Sequence, residues 1–324
     1  MDLPVFMNIL WSGFGVEGSH LTKAIWERVA ASGLLAFFMM TATAWGDEPE
    51  SQPSCKHCAE WNVTQPPFRV YGNTYYVGVH GLASILITSE GGHILIDGDL
   101  PESAPKIAAS IRTLGFRLQD VKLILNSHIH SDNAGGLAQL QKLTGAEVAA
   151  SASSARVLKE GHSGPDDPQF GELRAIEPIR SVRVIKDGEK LRVGSIEVTA
   201  HMTPGHTAGG TSWSWKSCEK ERCLNIAYVD SLSALSADTF LFTRNSTYPN
   251  VLKDFEKSLA TVSALPCDIL LTPHPDASEL WERIKKRNRG DVDALVDSTA
   301  CQRLAAGSRK RLEARVEKEA SHHP

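Results

Sequence analysis

An apolar run that ends in a cluster of histidines and carboxylates is the feature that most constrains the fold of this 324-residue chain. Residues 121–125 have the composition of a buried strand, and His128, His130 and Asp132 follow directly. Side chains on an extended segment alternate in direction, so the two histidines face the same way and can contact one metal ion. Proteins of the α/β class place functional groups at such strand ends, and the sequence therefore predicts a metal site here.

Two further strand-like segments also end in histidine. His206 follows the segment SIEVTAHM in a Thr-Pro-Gly-His turn, and His274 follows residues 268–272 in a Pro-His-Pro segment. A single loop histidine is more often structural, but three separate strand ends that carry histidine point to a shared ion. Neutral imidazole nitrogens with an open position for water are what a catalytic zinc site requires.

The order of strand-like and helical segments predicts the architecture. Strands over 68–99 precede a helix at 101–114, a strand at 119–126, a helix at 137–143, a strand at 148–150 and a helix at 151–160. The second half has strands at 181–186, 190–201, 210–216 and 224–229, a helix at 250–264, a strand at 267–272 and helices at 277–288 and 292–318. This order indicates two packed β-sheets with helices outside both, in one domain over 67–318. Trp213 and Trp215 share one strand face and are predicted to pack in the core.

Both ends of the chain are interpreted as lying outside that domain. Residues 29–45 form a 17-residue apolar stretch after Lys23 and Arg28, and the stretch ends in small side chains. This is the order of a secretory signal peptide, so we expect residues 1–46 to be removed on export, with an uncleaved membrane anchor as the alternative. Residues 47–66 form a flexible lead-in, residues 319–324 form a frayed tail, and the charged segment 307–319 is interpreted as a solvated helix face. The expected location is secreted, in the periplasm, with no membrane contact after processing.

Composition limits the class of partner and the state of the cysteines. The net charge of -4 disfavours a nucleic-acid-binding surface, which is normally basic. The chain has six cysteines, an even number that suits disulfides in an exported protein. Cys218 and Cys223 could close a hairpin, and Cys267 and Cys301 could join a late strand to the C-terminal helix. The alternative for the remaining pair, Cys55 and Cys58, is a zinc knot with Cys218 and Cys223.

The chain resembles the metallo-β-lactamase superfamily, and most closely its subclass B3 of secreted β-lactamases, over about residues 68 to 305. Four segments carry the resemblance: His128-x-His130-x-Asp132, Pro-Gly-His206-Thr-x-Gly-Gly, Tyr228-Val-Asp230-Ser231-Leu-Ser233-Ala, and Leu-Leu-Thr-Pro-His274-Pro. The resemblance implies an αββα sandwich of two mixed β-sheets with helices on both outer faces. It also implies a disulfide between Cys267 and Cys301, where that subclass carries one.

The resemblance further implies two adjacent zinc sites. Their ligands would be His128, His130 and His206 for the first ion, and Asp132 and His274 for the second. The family has a second-zinc histidine directly after the aspartate, where this chain has Asn133. An amide oxygen is a poor zinc donor compared with imidazole, so we expect one firmly bound zinc and a weakened second site.

The implied activity is hydrolysis of the lactam amide of β-lactam antibiotics, carbapenems included, by attack of metal-bound hydroxide. Asp132 would orient the nucleophile and help to move its proton, in a monomer that acts on a small-molecule substrate. Ser231 and Ser233 would hydrogen-bond the substrate carboxylate, with local capping of a strand end as the alternative.

Two other functions stay open from the sequence. One is a secreted metallo-hydrolase of the same fold for a thioester, lactone or phosphoester, in which Asp230 would bridge two zinc ions. The other is a weakly active or inactive metal-binding relative, which the presence of Asn133 suggests.

Overall fold

The computed structural model describes residues 53–322. The predicted signal peptide, 1–46, and the first part of the lead-in lie outside the described residues. The rest of the lead-in is not flexible as predicted, because Trp61 and Val63 accept backbone hydrogen bonds from Gly81 and His80. The strands are β1 Phe68–Tyr71, β2 Thr74–Tyr76, β3 Ile85–Ser89, β4 Gly92–Ile96, β5 Val121–Leu125, β6 Glu147–Ser151, β7 Val182–Ile185, β8 Lys190–Val193, β9 Ile196–Met202, β10 Thr211–Glu219, β11 Arg222–Tyr228 and β12 Ile269–Leu271. The helices are α1 Cys58–Trp61, α2 Ala104–Thr113, α3 Ser131–Ala134, α4 Leu137–Thr144, α5 Ala152–Glu160, α6 Val251–Ala264, α7 Leu280–Asn288 and α8 Ala300–His322. Within this range no helix is both long and apolar enough to span a bilayer.

The strands form two mixed sheets. The first has the order β1-β2-β3-β4-β5-β6-β7, antiparallel up to β4 and parallel from β4 to β7. The second has the order β12-β11-β10-β9-β8, and its strands are antiparallel except for the parallel pair β11 and β12. Parallel strands end at the same edge of a sheet, so β5 and β6 deliver their loops to one place.

Three apolar clusters hold these layers together. The central cluster joins the facing sides of the two sheets and contains Ile94 and Ile96 of β4 together with Trp213 and Trp215 of β10. A second cluster packs α2, α4 and α5 on the first sheet, and a third packs α6 and α8 on the second sheet. The predicted αββα sandwich is therefore confirmed, as is the prediction that both tryptophans pack in the core, where they are 0% and 4% exposed.

Two predicted elements differ from the structure for local reasons. The strand predicted over 190–201 is a hairpin, since the chain turns at Gly194, which has φ +56 and lies against the Cα of Gly91. The helix predicted from residue 292 begins at Ala300, because Asp297 accepts hydrogen bonds from the backbone N–H and the hydroxyl of Thr299 and holds a turn there.

The interpretation of residues 307–319 as a solvated helix face holds for one side of the C-terminal helix, where Lys310, Glu313 and Glu317 are exposed, but its other side is packed. Glu319 is buried and its carboxylate accepts hydrogen bonds from the backbone N–H groups of Phe242 and Thr243. Arg315 donates to Glu319 at 2.7 Å and lies over the ring of Phe242. Helix α8 thus docks the loop that follows β11. It continues to His322, so the tail predicted to be frayed from residue 319 is helical as far as 322.

All six cysteines form disulfides. Cys218 pairs with Cys223 across the β10–β11 hairpin, and Cys267 pairs with Cys301 at the start of α8, as predicted. Cys55 pairs with Cys58, so the alternative of a zinc knot is wrong. The third disulfide closes a small loop just before α1.

Candidate metal centre

The metal site is assembled from strand ends of both sheets. The loop after β5 carries His128 and His130, the turn between β9 and β10 carries His206, and the loop after β12 carries His274. Val229 donates a backbone hydrogen bond to Leu271, which keeps the loops after β11 and β12 side by side. The convergence of three strand ends predicted from the sequence is what the fold produces.

Three buried histidines form the core of the site. Nitrogen atoms of His128, His130 and His206 lie within 4.8 Å of one another. The ring centroids are 4.8 Å apart for His128 and His130, 5.0 Å for His128 and His206, and 4.8 Å for His130 and His206. The rings stand nearly edge to face, which directs one nitrogen of each toward a common centre.

The other nitrogen of each ring is held by an oxygen acceptor. Nδ1 of His128 lies 2.8 Å from Oδ1 of Asp230. Nε2 of His130 lies 3.1 Å from Oδ2 of Asp167. Nδ1 of His206 lies 3.0 Å from the backbone oxygen of Ser233.

These contacts define the donor set. They leave Nε2 of His128, Nδ1 of His130 and Nε2 of His206 for a metal ion, which is how zinc-binding histidines are oriented in proteins. The residues present therefore fit a zinc ion, which the family implies.

Asp167 was not predicted from the sequence. It lies in the long loop after α5 and is 5% exposed, and its carboxylate also accepts the backbone N–H of Gln169 at 2.8 Å. Gln169 in turn approaches Nδ1 of His130 at 3.4 Å. The polar sequence Asp166-Asp167-Pro168-Gln169 is typical of a surface loop, and only tertiary contact shows that one of its carboxylates is buried against the site.

Burial and neighbouring charges shift the pKa values of His128 and Asp167 in opposite directions, whereas both lower the pKa of His206. Burial lowers the pKa of His128, but the charge and hydrogen bond of Asp230 outweigh burial and raise that pKa to about 9. Burial lowers the pKa of His206 well below its ordinary value, and the neighbouring His130 and His128 lower it further. Burial also raises the pKa of Asp167, but His130 outweighs this and brings it below the ordinary value. Zinc binding at Nε2 of His128 therefore has to displace a proton.

Asp132 and His274, the residues predicted to bind a second ion, contact each other beside the three clustered histidines. Nε2 of His274 lies 3.1 Å from Oδ2 of Asp132. Burial raises the pKa of Asp132, but the hydrogen bond and charge of His274 outweigh burial and hold it well below the ordinary value. The ring of Trp61 meets His274 edge to face at 5.1 Å.

The side chain of Asn133 points toward His128, one of the three clustered histidines. Its Nδ2 lies 3.3 Å from Nε2 of His128, its side chain is 2% exposed, and its backbone oxygen accepts the N–H of Gly98. The expectation that this residue weakens a second zinc site stays a prediction.

A glycine permits the sharp turn that positions His206. Gly205 has φ +139, and a Cβ at this position would lie 2.7 Å from the ring of Phe255 in α6. Ser258 of the same helix donates a hydrogen bond to the oxygen of Pro204 at 2.6 Å. The turn is therefore pressed against α6 without room for a side chain.

The site opens onto a cavity of about 480 Å³. His130, His206, Asp132 and His274 lie at its base, and Ser231 and Ser233 line its wall. The two serines differ, because Oγ of Ser233 lies 3.1 Å from Nδ1 of His206, whereas no side-chain contact of Ser231 is seen within residues 53–322.

Two other histidines, His80 and His162, lie outside this cavity. His80 is exposed and stacks on Trp281 at 4.6 Å, and His162 is exposed in the loop after α5. Neither is part of the histidine cluster.

Comparisons with known proteins agree with this geometry. A family model described as "Metallo-beta-lactamase superfamily" matches residues 77–219. The solved structure of Rm3 metallo-beta-lactamase is 53% identical with a TM-score of 0.81, and the match covers 83% of this chain and 100% of that chain. MEM-A1, a subclass B3 metallo-beta-lactamase isolated from a soil metagenome library, is 49% identical with a TM-score of 0.79, covering 81% and 99%.

Curated relatives are more distant. A hydroxyacylglutathione hydrolase of Cereibacter sphaeroides is 29% identical over 174 residues, which is 53% of this chain. The chain spans about half, 54%, of the length of that relative. Since the match to the lactamase structures is both higher in identity and nearly complete in length, the chain belongs to the metallo-β-lactamase superfamily, with a subclass B3 enzyme among its near structural relatives.

Proposed function

We propose that this chain is a zinc-dependent β-lactamase that hydrolyses the lactam amide of β-lactam antibiotics, carbapenems included. One observation carries the proposal: the cluster of His128, His130 and His206 lies beside a cavity that His130 and His206 line together with Ser231. The cavity volume of about 480 Å³ suits a small bicyclic ligand. The near-complete match to lactamases of known structure supports the same reaction.

The three histidines would hold the catalytic ion. Zinc bound there would lower the pKa of a coordinated water toward neutrality and polarise the lactam carbonyl. Asp230, Asp167 and the backbone oxygen of Ser233 fix the tautomer and direction of the three rings, so that the donor atoms are already oriented before the ion binds.

Asp132 is proposed to accept the proton of the attacking water. It lines the base of the cavity, and His274 keeps its carboxylate ionised. An ionised carboxylate at this position can orient the attacking water and accept its proton as the ring opens. The amide of Asn133, in place of a family histidine, leaves only Asp132 and His274 for a second ion, so we propose one firmly bound zinc and a weak second site.

The serines are proposed to anchor the substrate carboxylate. Ser231 lines the cavity, and its hydroxyl makes no hydrogen bond in the part of the chain that the structure describes, so it can donate one to an anionic group of the substrate. Ser233 also holds the ring of His206, because its side chain and its backbone oxygen both contact Nδ1 of that residue.

The protein is further proposed to act as a monomer after export to the periplasm and loss of residues 1–46. Its three disulfides suit an oxidising compartment. The single domain would then span residues 67–318, preceded by the segment 47–66.

The thioester, lactone or phosphoester alternative depended on Asp230 as a ligand shared by two ions. In the structure Oδ1 of Asp230 is instead hydrogen-bonded to the outer nitrogen of His128. The curated thioester hydrolases also match only half of their own length. We therefore favour the lactamase.

The proposal is tested with the purified chain from Asp47 onward, loaded with zinc, and a carbapenem. Ring opening is followed by the loss of ultraviolet absorbance, with a chelator-treated sample as the control. Chelator-sensitive hydrolysis is the expected result. A folded, zinc-loaded sample that leaves carbapenems and penicillins intact would overturn the proposal, and thioesters, lactones and phosphoesters would be assayed next.

A further inference from the structure

Helix α8 supplies one wall of the cavity. Leu304, Ser308 and Arg311 line it together with Ser231 and Ser233. Leu304, Ser308, Arg311 and Arg315 follow one another at spacings of four, three and four residues, which places them on one face of the helix. This face is turned toward the catalytic cavity and the loop after β11.

The same face docks the loop that carries the two serines. Arg315 donates to Oγ of Ser236 at 2.7 Å and to the backbone oxygen of Phe240 at 3.2 Å. Leu232, which lies between the serines, packs in one apolar cluster with Leu304. Arg311 lies one helical turn before Arg315 and therefore beside the serine-bearing loop.

Arg311 differs from the other cation in the cavity wall. Arg174 forms an ion pair with Glu102 at 2.9 Å and contacts Sγ of Cys58 at 3.7 Å. Arg311 donates to the hydroxyl of Ser308 at 2.7 Å, and within residues 53–322 no carboxylate pairs with it. Its guanidinium folds back over Gly307, where a Cβ would lie 3.5 Å away. The charge of Arg311 is thus available to an anion.

The reaction itself favours one position for such an anion. The lactam carbonyl has to lie at the metal end of the cavity for hydrolysis, so the ring carboxylate of a bicyclic β-lactam lies toward the wall that Ser231 and Arg311 line. The serine hydroxyls can donate hydrogen bonds but carry no charge. The guanidinium of Arg311, which lines the same cavity, supplies the attraction that the hydroxyls lack.

We propose that Arg311 is a substrate-binding residue that attracts the carboxylate on the fused ring of the β-lactam while Ser231 donates a hydrogen bond to it. This inference rests on the proposed function and deepens it, because it names the charged group that selects anionic substrates. Arg311 acts on substrate binding and has no part in the bond-breaking step.

The test compares benzylpenicillin with its methyl ester, which has the same ring and side chain but no negative charge. Kinetics of the zinc-loaded wild type are compared with those of Arg311→Gln and Arg311→Lys. The matched control is Arg309→Gln, because Arg309 lies on the same helix, pairs with Glu256 and does not line the cavity. Zinc content and thermal unfolding of each variant are measured alongside.

We expect Arg311→Gln to lower kcat/KM for benzylpenicillin by about five- to tenfold through a higher KM, with kcat and zinc content unchanged. The ester should be unaffected, Arg311→Lys should recover part of the loss, and Arg309→Gln should match the wild type. Raising the salt concentration from about 0.05 to about 0.5 M should raise the wild-type KM for the acid more than that of the variant.

The outcomes separate the two proposals. An equal loss on acid and ester, or no loss on either, with a wild type that turns over benzylpenicillin, would overturn the role of Arg311 alone. A loss of zinc or of folding stability in Arg311→Gln that Arg311→Lys does not reverse would also overturn it. A zinc-loaded wild type that hydrolyses neither compound would overturn the lactamase proposal and this inference with it.

Discussion

Oδ1 of Asp230 lies 2.8 Å from Nδ1 of His128, on the opposite side of the ring from the nitrogen that faces the other two histidines. Both side chains are buried, so this contact fixes the direction of the ring in a place that water does not reach. We expect Asp230→Ala to lower zinc affinity about 10- to 100-fold, because the ring loses its orienting acceptor. Competition with a coloured chelator measures this.

Ser231→Ala serves as the comparison for that experiment, since its hydroxyl lines the cavity and contacts none of the three histidines. It should keep wild-type zinc affinity. Unchanged affinity in Asp230→Ala would contradict the orienting role of the carboxylate.

Asn133→His is expected to raise the zinc content from about one to about two ions per chain, because imidazole is a better zinc donor than an amide. Turnover should rise with it. Metal analysis after dialysis against low zinc measures the stoichiometry, with Asn133→Ala as the control that should stay near one. If Asn133→His also stays near one, the surroundings of Asn133 have adapted to the amide.

Gly205→Ala should unfold the turn that carries His206. The residue has φ +139 and its Cβ would meet the ring of Phe255, so we expect a loss of about 2–4 kcal/mol in unfolding free energy together with a loss of bound zinc. Gly188→Ala is the matched control, since Gly188 has φ +75 with nothing within 4 Å of its Cβ. It should cost about 1 kcal/mol and leave zinc in place. Denaturant titration measures both, and equal costs would contradict the steric argument.

Removal of the Cys267–Cys301 disulfide should cost more stability than removal of Cys218–Cys223. The first closes a sequence separation of 34 residues and the second a separation of 5, so the unfolded chain gains more entropy in the first case. Paired serine substitutions should lower the unfolding free energy by about 4 and about 2 kcal/mol respectively. Guanidinium unfolding curves of the two double variants measure both losses, and the reverse order would show that chain entropy is not the main cause.

The turn before α8 gives a pH-dependent contribution to stability. Arg303 and Thr299 lower the pKa of Asp297 below its ordinary value, with the hydrogen bond from Arg303 as the largest cause. A carboxyl with a lowered folded pKa stabilises the protein above its unfolded pKa, and this is lost as the pH falls through the folded value. Asp297→Asn should cost about 0.5–1 kcal/mol at pH 7, allowing for solvent screening, and the difference should shrink below about pH 4.

Arg303→Gln should reproduce most of that effect, since it removes the donor and leaves the carboxylate. Unfolding curves of the three proteins at pH 7 and near pH 3 provide the measurement. A difference that is the same at both pH values would show that the ionised form of Asp297 is not what stabilises the turn.

Much of the fold could be predicted from the sequence, because the patterns that mark its strands lie in short stretches of the chain. The run at residues 121–125 and the histidines that follow it mark a strand end, and the alternating apolar residues around Trp213 mark a core strand. The convergence of His206 and His274 on that strand end could also be expected, because three separate strand ends carry histidine, although the strands before His206 and His274 belong to the second sheet. Cys267 and Cys301 pair as their positions suggested.

Other contacts depend on tertiary structure alone. Asp167 belongs to a polar loop, and nothing in its neighbours shows that it is buried against His130. Residues 307–319 look like a solvated helix because they are rich in charge. Yet Glu319 is buried where it binds backbone N–H groups of a distant loop, and no local pattern records that partner.

The histidine cluster draws its ligands from two separate layers of the molecule. His128 and His130 belong to the sheet built from the first half of the chain, whereas His206 and His274 belong to the sheet built from the second half. Two fragments divided in the exposed loop near Gly171 would each hold an incomplete ligand set. Zinc would then favour reassociation of the two fragments, because it binds ligands from both sheets and so joins the two layers of the sandwich.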